Sequence, residues 1–600
     1  MIGGKKMTVK ERIEKLRALM REKSIDAYII PSFDSHQSEY VAEHYKSRAW
    51  ISGFTGSAGT VVITLNSAGL WTDGRYFIQA EKQLQGSGIE LFKMGQPTVP
   101  TYIEWIKENV EKNSTIGFDG KVFPVSLYKD MSLKFASKKF KIETRFDLVG
   151  EIWEDRPALP SEQVFVHDVK YAGKTRSKKL SEVRDKMKKI EANYFILSSL
   201  DDIAWLFNIR GRDIDKNPVV ISYAVIDENK AYLFINLSKI SREISEELKG
   251  ENIEVKSYEE ITKFIESIPE GKVVTYDPAK TNVMILDAIR SDITKIEEVN
   301  ITTKLKAIKN KIEIENTRKA TIRDCVAEVR FIKWLKESVS RGEKVTEISA
   351  SNKLTSLRAE DELFIEPSFN TIAGYKEHAA MMHYSATSET DYELKPEGLF
   401  LIDSGGQYYD GTTDITRTIV LGPLTEEQKR DFTLVARGNI GLSKARFLVG
   451  TVGCNLDILA RKPLWEAGID YKCGTGHGVG YLLNVHEGPH GISRVPSNVK
   501  LEVGMNLTNE PGVYKEGKHG IRLENTLFVT EDETTEYGGE FLKFETITFC
   551  PFDLDGIIPG MMTEDEREWL NNYHKQTYEK LSPYLNEEER AFLKYETRAI

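Results

Sequence analysis

In Leu399-Phe-Leu-Ile-Asp403-Ser-Gly-Gly-Gln-Tyr-Tyr-Asp-Gly-Thr-Thr-Asp414-Ile-Thr-Arg-Thr418, two aspartates stand eleven positions apart on strand-like runs joined by a glycine-containing turn. A hairpin of this kind sets the two acids side by side. The arrangement returns in Asn506-Leu-Thr-Asn-Glu510-Pro-Gly-Val-Tyr514 and Gly520-Ile-Arg-Leu-Glu524-Asn-Thr526, with Lys515 to Gly520 as the turn. Two hairpins then present four carboxylates. Gathered in one partly buried site they repel one another and raise each other's pKa unless cations hold them together. Two divalent cations balance the charge, and an oxygen-rich donor set suits Mn²⁺ better than a structural zinc. Such a pair can share a water, lower its pKa and clamp an oxyanion, which is the two-metal route to hydrolysis. Taken singly, Asp403 before Ser-Gly-Gly and Glu510 before Pro-Gly read as turn-stabilising acids. Their paired spacing points to metal.

Five of the ten histidines, His378, His383, His477, His486 and His490, fall in the same part of the chain. Gly474-Thr-Gly-His477-Gly-Val-Gly480 surrounds one of them with glycine, so backbone can approach a ligand closely there. The segment lacks the spacing of a phosphate loop, which leaves His477 as a metal-ligand candidate or a structural histidine. Two lookalikes are set aside. His486-Glu-Gly-Pro-His490 matches H-E-x-x-H literally, but a zinc-binding pair needs a helix and Gly488-Pro489 breaks one. Asp403-Ser-Gly-Gly looks like a serine-protease nucleophile, yet no other element of that pattern accompanies it.

The 600 residues, 40% apolar, 10% aromatic and 29% charged, allow three or four domains with real cores and exclude fibres, disulfide miniproteins and wholesale disorder. Lys+Arg 82 against Asp+Glu 92 gives a net charge of -10 without a basic stripe, which argues against nucleic acid or an anionic membrane as partner. Cys325, Cys454, Cys473 and Cys550 are scattered and form no C-x-x-C pair, which fits a reducing compartment. No apolar run is long enough to cross a bilayer, and Met1 to Lys6 with the amphipathic Val9 to Arg21 lacks a secretory h-region. A cytoplasmic protein is expected.

Leu16, Leu19 and Met20 at helical spacing before Ala27 to Ile30 predict a helix feeding a strand, followed by short strands at Thr60 to Leu65 and Leu70 to Thr72. The plan recurs with a helix from Lys178 to Ile190 and strands at Tyr194 to Leu197, Val219 to Ile226 and Ala231 to Ile235. Aligning Tyr28 with Phe195 makes this a domain-sized repeat, with Arg156 to Pro160 as linker. Thr303 to Val339 predicts a long surface helix or a helix pair opening a third domain. Strands follow at Leu399 to Asp403, Thr413 to Leu421, Met505 to Asn509 and Ile521 to Val529, and Thr563 to Ala599 predicts a helical, peripheral tail.

Together these segments resemble the pita-bread metallopeptidases, specifically the Xaa-Pro aminopeptidases (aminopeptidase P) in their long, three-domain cytosolic form. The resemblance rests on Phe369-Asn-Thr-Ile-Ala-Gly374, Met381-Met-His383-Tyr384, the Asp403 to Thr418 stretch, Gly476-His477-Gly-Val-Gly480, Asn484-Val-His486-Glu-Gly-Pro489, Asn509-Glu510-Pro-Gly512 and Arg522-Leu-Glu524-Asn525. In the first half it rests on His36-Gln-Ser-Glu-Tyr40, Ser52-Gly-Phe54, Gly56-Ser-Ala-Gly59, Trp71-Thr-Asp-Gly-Arg75-Tyr76 and Leu200-Asp-Asp-Ile-Ala-Trp205, and at the end on Pro551-Phe-Asp-Leu-Asp-Gly556. It implies an α/β and α+β chain. Two tandem creatinase-like α/β domains (1–156 and 157–305) would precede a pita-bread catalytic domain (306–545) and a C-terminal helical extension (546–600).

Carried over by motif, the implied metal ligands are Asp403, Asp414, His477, Glu510 and Glu524, with Asp414 and Glu524 bridging two ions. His383 and His486 match substrate-binding, proton-handling histidines, Glu510 a proton carrier, and Arg75 a peptide-contacting arginine. The implied activity removes an N-terminal residue followed by proline, through a hydroxide bridging the two metal ions. The implied assembly is a homodimer. The chain departs from the pattern at Lys376-Glu-His378, where relatives often carry a Gly-Asn type loop. The rival readings are prolidase, methionine aminopeptidase and a non-enzymatic peptide-binding protein on the same scaffold. About 300 residues before the catalytic domain argue against the first two, and five retained ligands against the third.

Overall fold

The computed structural model describes residues 7–600, so the reading of Met1 to Lys6 lies outside the described residues. The chain forms two compact units. Among the described residues, one comprises those up to 166 with 176–215 and 219–302, and the other 167–175, 216–218 and 303–600.

The first unit opens with the helix Val9–Glu22, which buries Ile13, Leu16 and Met20 on one face. Thr8 caps it reciprocally with Glu11, satisfying amide groups that the first turn leaves without partners. The helix leads into Ala27–Pro31, which pairs antiparallel with Thr60–Thr64 and parallel with Thr115–Phe118. The resulting six-stranded sheet runs 90–93, 68–72, 60–64, 27–31, 115–118 and 141–143. A second sheet runs 253–257, 231–235, 222–226, 194–197, 273–276 and 294–297. Strand for strand the order and the parallel and antiparallel pairings are the same, so the predicted repeat is a repeat of topology. Buried polar contacts join the two halves: His36 Nδ1 lies 2.8 Å from the Ser198 carbonyl, and Asn282 donates to the Ser35 carbonyl at 2.9 Å.

The long segment of the second unit opens on a helix pair, Ile301–Ala307, which straddles the boundary, and Lys311–Ser340. The longer helix differs from a surface helix. Besides apolar residues it buries Asp324 and Glu328, which share the guanidinium of Arg358. These two charges are paired with an arginine of the next helix, Glu347–Arg358, whereas Lys311, Glu315, Arg318 and Lys319 are exposed. Ile372–Tyr375, Leu399–Ser404 and Ile415–Val420 form one sheet. A smaller hairpin, Gly406–Tyr408 with Gly411–Thr412, interrupts the connection between its last two strands. A six-stranded sheet runs 446–448, 539–546, 525–535, 506–509, 476–478 and 487–492.

The continuous strand expected at Ile521 to Val529 is two strands, His519–Arg522 and Asn525–Thr535, in different sheets. The chain changes sheet at Leu523-Glu524, which frees Glu524 from either ladder. The tail is helical, over Glu564–Leu581 and Glu587–Glu596, but it is not peripheral. Leu570, Tyr573, His574 and Thr577 are buried, and Tyr573 packs with Phe432, Val435, Val513 and Ile521 in one core. The charged residues of these helices cover one face only, and overall composition hides the apolar one.

Candidate metal centre

Each acid is placed by a strand end. In the pairing of Leu399–Ser404 with Ile415–Val420, Asp403 faces Thr416 and Ser404 faces Ile415, so Asp414 arrives at the same edge. Glu510 follows the strand Asn506–Asn509, and its amide donates to the Thr475 carbonyl at 2.8 Å. Between Glu510 and Glu524 runs the hairpin Gly512–Lys515 with His519–Arg522, so these acids stand at its two feet. The Glu524 amide donates to the Thr416 carbonyl at 3.1 Å, while Thr416 Oγ1 donates to Glu524 Oε2 at 2.7 Å. Those bonds stitch the two acid-bearing ribbons together. His477 sits in the short strand Gly476–Gly478, its amide held by Thr508 Oγ1 at 3.1 Å.

The side chains converge. Asp414, His477 and Glu524 offer ligand atoms within 4.8 Å of one another. His477 Nε2 lies 3.4 Å from Asp414 Oδ2 and 3.6 Å from Glu510 Oε1. Asp403 is tied to the group by Arg522, whose Nη2 donates to Oδ2 at 2.5 Å and whose Nε donates to Thr416 Oγ1 at 3.1 Å. The imidazole of His486 stands edge-on to His477 with ring centroids 4.2 Å apart. His477 and Glu510 keep 24% and 21% of their side chains exposed, against 5% for Asp414, so the group opens to solvent on the His477 side.

The donor set fits metal ions. His477 Nδ1 lies 2.8 Å from the Gly478 carbonyl, which fixes a proton on Nδ1 and turns Nε2 toward the acids, where a metal ion can displace its proton. Asp403 Oδ1 is buried without a hydrogen-bond partner among the described residues. Burial, together with the neighbouring acids, raises the pKa of Asp414 and Glu510 and holds Glu524 well above its ordinary value. Burial alone would lower the pKa of His477, but Asp414 and Glu510 outweigh it and lift the imidazole to about 9. Four buried carboxylates facing one guanidinium and one imidazole lack positive charge, and divalent ions supply it.

Other candidates lie elsewhere. His383 is exposed on the turn after Lys376–Ala380. Arg75 belongs to the first unit, where it grips both oxygens of Asp73 at 2.8 Å and its pKa is raised by that pairing. His490 is buried with Nε2 2.7 Å from the Asn506 carbonyl, and burial pushes its pKa down to about 4, a structural histidine. Glu487–Ile492 is a strand, so His486 and His490 do not share a helix face. Sequence reasoning missed Arg522 and Thr416. Arg522 lies two residues before Glu524 inside a quoted motif, and strand alternation was the signal that could have found it.

Similarity to known proteins agrees with this geometry. Residues 12–144 and 155–313 match the creatinase/prolidase N-terminal domain, residues 315–531 metallopeptidase family M24, and residues 540–600 the C-terminal region of that peptidase. Aminopeptidase P2 of Arabidopsis thaliana is 40% identical, over 97% of this chain and 87% of its own. Xaa-Pro aminopeptidase 1 of Dictyostelium discoideum is 39% identical, over 97% and 94%. A solved X-prolyl aminopeptidase from Caenorhabditis elegans, described as a cytosolic enzyme with a di-nuclear active site, superposes with a TM-score of 0.95 at 34% identity, covering 99% of this chain and all of that one.

Proposed function

Because the chain belongs to metallopeptidase family M24, with relatives named as Xaa-Pro aminopeptidases over nearly its whole length, we propose that it removes the first residue of peptides whose second residue is proline. In this reading Asp403, Asp414, His477, Glu510 and Glu524 would hold two divalent ions. Mn²⁺ suits a set of four carboxylates and one imidazole. Bound there, the ions supply Lewis acidity and an activated water. The observation that carries the reading is the convergence of Asp414, His477 and Glu524 from three separate segments of the chain.

The chain's own groups then have definite tasks. An Xaa-Pro bond is a tertiary amide without an N–H, so a site that recognises it cannot rely on gripping that hydrogen. Glu510, among the more exposed ligands, carries the proton from the attacking water. His486, edge-on to His477, and His383 hold the substrate carbonyl and pass a proton to the leaving proline nitrogen. Arg75 is the peptide-contacting arginine of this reading. A cytoplasmic location and a homodimer belong to the same reading. The location is supported by four free cysteines and by the cytosolic nematode relative. Among the described residues, no helix is long and apolar enough to cross a membrane.

Metal content and release of the first residue from Arg-Pro-Pro against Gly-Pro test the assignment. Two ions per chain with cleavage of the tripeptide are expected. Dipeptide-only cleavage would make the protein a prolidase. Absence of both metal and cleavage would make it a peptide-binding protein.

A further inference from the structure

Glu487 directly follows His486 and is buried, 2% exposed. It opens a strand that pairs with Gly476–Gly478, where its register partner is Gly478, next to His477. A Cβ on Gly478 would meet the Glu487 carbonyl oxygen at 2.3 Å, so the two backbones approach as only glycine allows. The Glu487 carboxylate is enclosed by two ammonium groups. Lys309 Nζ bonds Oε1, and Lys306 Nζ lies 3.4 Å from Oε2, with all three side chains within 2% of full burial.

The clamp is itself anchored. Lys309 Nζ donates to the Lys306 carbonyl at 3.1 Å, and the Lys309 amide donates to the Gly504 carbonyl at 3.0 Å. Lys306 lies in the last turn of the helix Ile301–Ala307, and Lys309 lies between it and the long helix Lys311–Ser340. Three buried charges are a poor source of stability, because desolvation offsets most of the attraction and apolar replacements are often no worse. What such a group supplies is geometry. Fixing the Glu487 carboxylate fixes the peptide that carries His486.

We propose that Glu487, clamped between Lys306 and Lys309, is a positioning residue that holds the His486 imidazole against the metal centre. The inference rests on the proposed role of His486 in handling substrate. A merely structural Glu487 would lower activity only in step with folded protein or bound metal. A positioning Glu487 acts through His486 and loses its effect once that imidazole is gone.

The test is a double-mutant cycle on the metal-loaded full chain with Arg-Pro-Pro as substrate, using Glu487→Gln, His486→Ala and both together. Glu487→Gln should lower kcat about 10- to 100-fold, the cost of a side chain displaced by about 1 Å, with KM changed less than about threefold and metal content unchanged. In the His486→Ala background it should lower kcat less than about twofold further. Lys309→Met should reproduce the Glu487→Gln split, and it carries the cycle if Glu487→Gln does not fold. An equal loss in both backgrounds, or a normal kcat for Glu487→Gln, overturns the positioning role while leaving His486 in place. A normal kcat for His486→Ala overturns both.

Discussion

Acids gather at both ends of the hairpin Gly512–Arg522, and the protein treats them in opposite ways. Near its tip, Asp431 of the adjoining helix Glu426–Ser443 meets Lys515 at 2.6 Å, His519 at 2.9 Å and Arg430 at 3.0 Å. Burial alone would raise this carboxyl, but hydrogen bonds from His519, Lys515 and Arg430 and the charge of Lys515 outweigh it and bring its pKa down to about 2. At its feet, Glu510 and Glu524 join Asp403 and Asp414 around one guanidinium, and Glu524 is driven well above the ordinary carboxylate range. Where the chain supplies its own cations the acid is a fastener. Where it withholds them the acids form a socket.

The largest effect is expected from Glu524→Gln, which removes one acid of the socket. Metal content and peptide cleavage should both fall by at least about 10²-fold, more than the loss of an outer partner costs. The metal-free protein should melt no lower than the unaltered one, because folding no longer has to bury or protonate a carboxylate there. Chelator-treated thermal melts with metal analysis check this. A large loss of metal-free stability would erase the distinction between socket and fastener.

Arg522→Met is next. It frees Asp403 from its hydrogen bond at 2.5 Å, and metal affinity measured by calorimetry should weaken about 10- to 100-fold. Asp431→Asn should behave in the opposite sense, lowering unfolding free energy by about 1–2 kcal/mol while leaving metal affinity within about threefold. Asp431 has a pKa of about 2 when folded and about 3.9 when unfolded, so the unfolded chain takes up its proton first as pH falls. Its contribution is therefore complete above about pH 4 and is lost as pH drops towards 2. In Asp431→Asn that part of the acid limb should be missing from denaturant titrations. The smallest effect is expected from Thr416→Val, which removes the hydrogen bond to Glu524 at 2.7 Å. A loss of about 0.5–1.5 kcal/mol in metal binding, read by the same calorimetry, is expected.

The four acids of the socket were legible in the chain because each stands in a short motif near a strand end, and strand ends are what alternation and turn residues reveal. The repeat was legible for the same reason: Tyr28 and Phe195 sit in matching apolar runs, and the two sheets share one order. The partners of the socket were not. Arg522 reaches Asp403 across 119 residues, and Lys309 reaches Glu487 across 178, separations that no local window spans. The tail misled for a related reason. Its glutamates and lysines dominate composition, whereas Tyr573 reaches inward to Arg417 at 3.1 Å, and Arg417 also bonds the Glu524 carbonyl at 2.6 Å. The extension thus braces the socket from behind.

The most direct measurement is an anomalous difference map from crystals of the full chain grown with Mn²⁺. The account predicts two peaks per chain, both in contact with Asp414 and Glu524, one also with Asp403 and the other with His477 and Glu510. An absence of peaks among these side chains, or manganese bound only elsewhere, would contradict it.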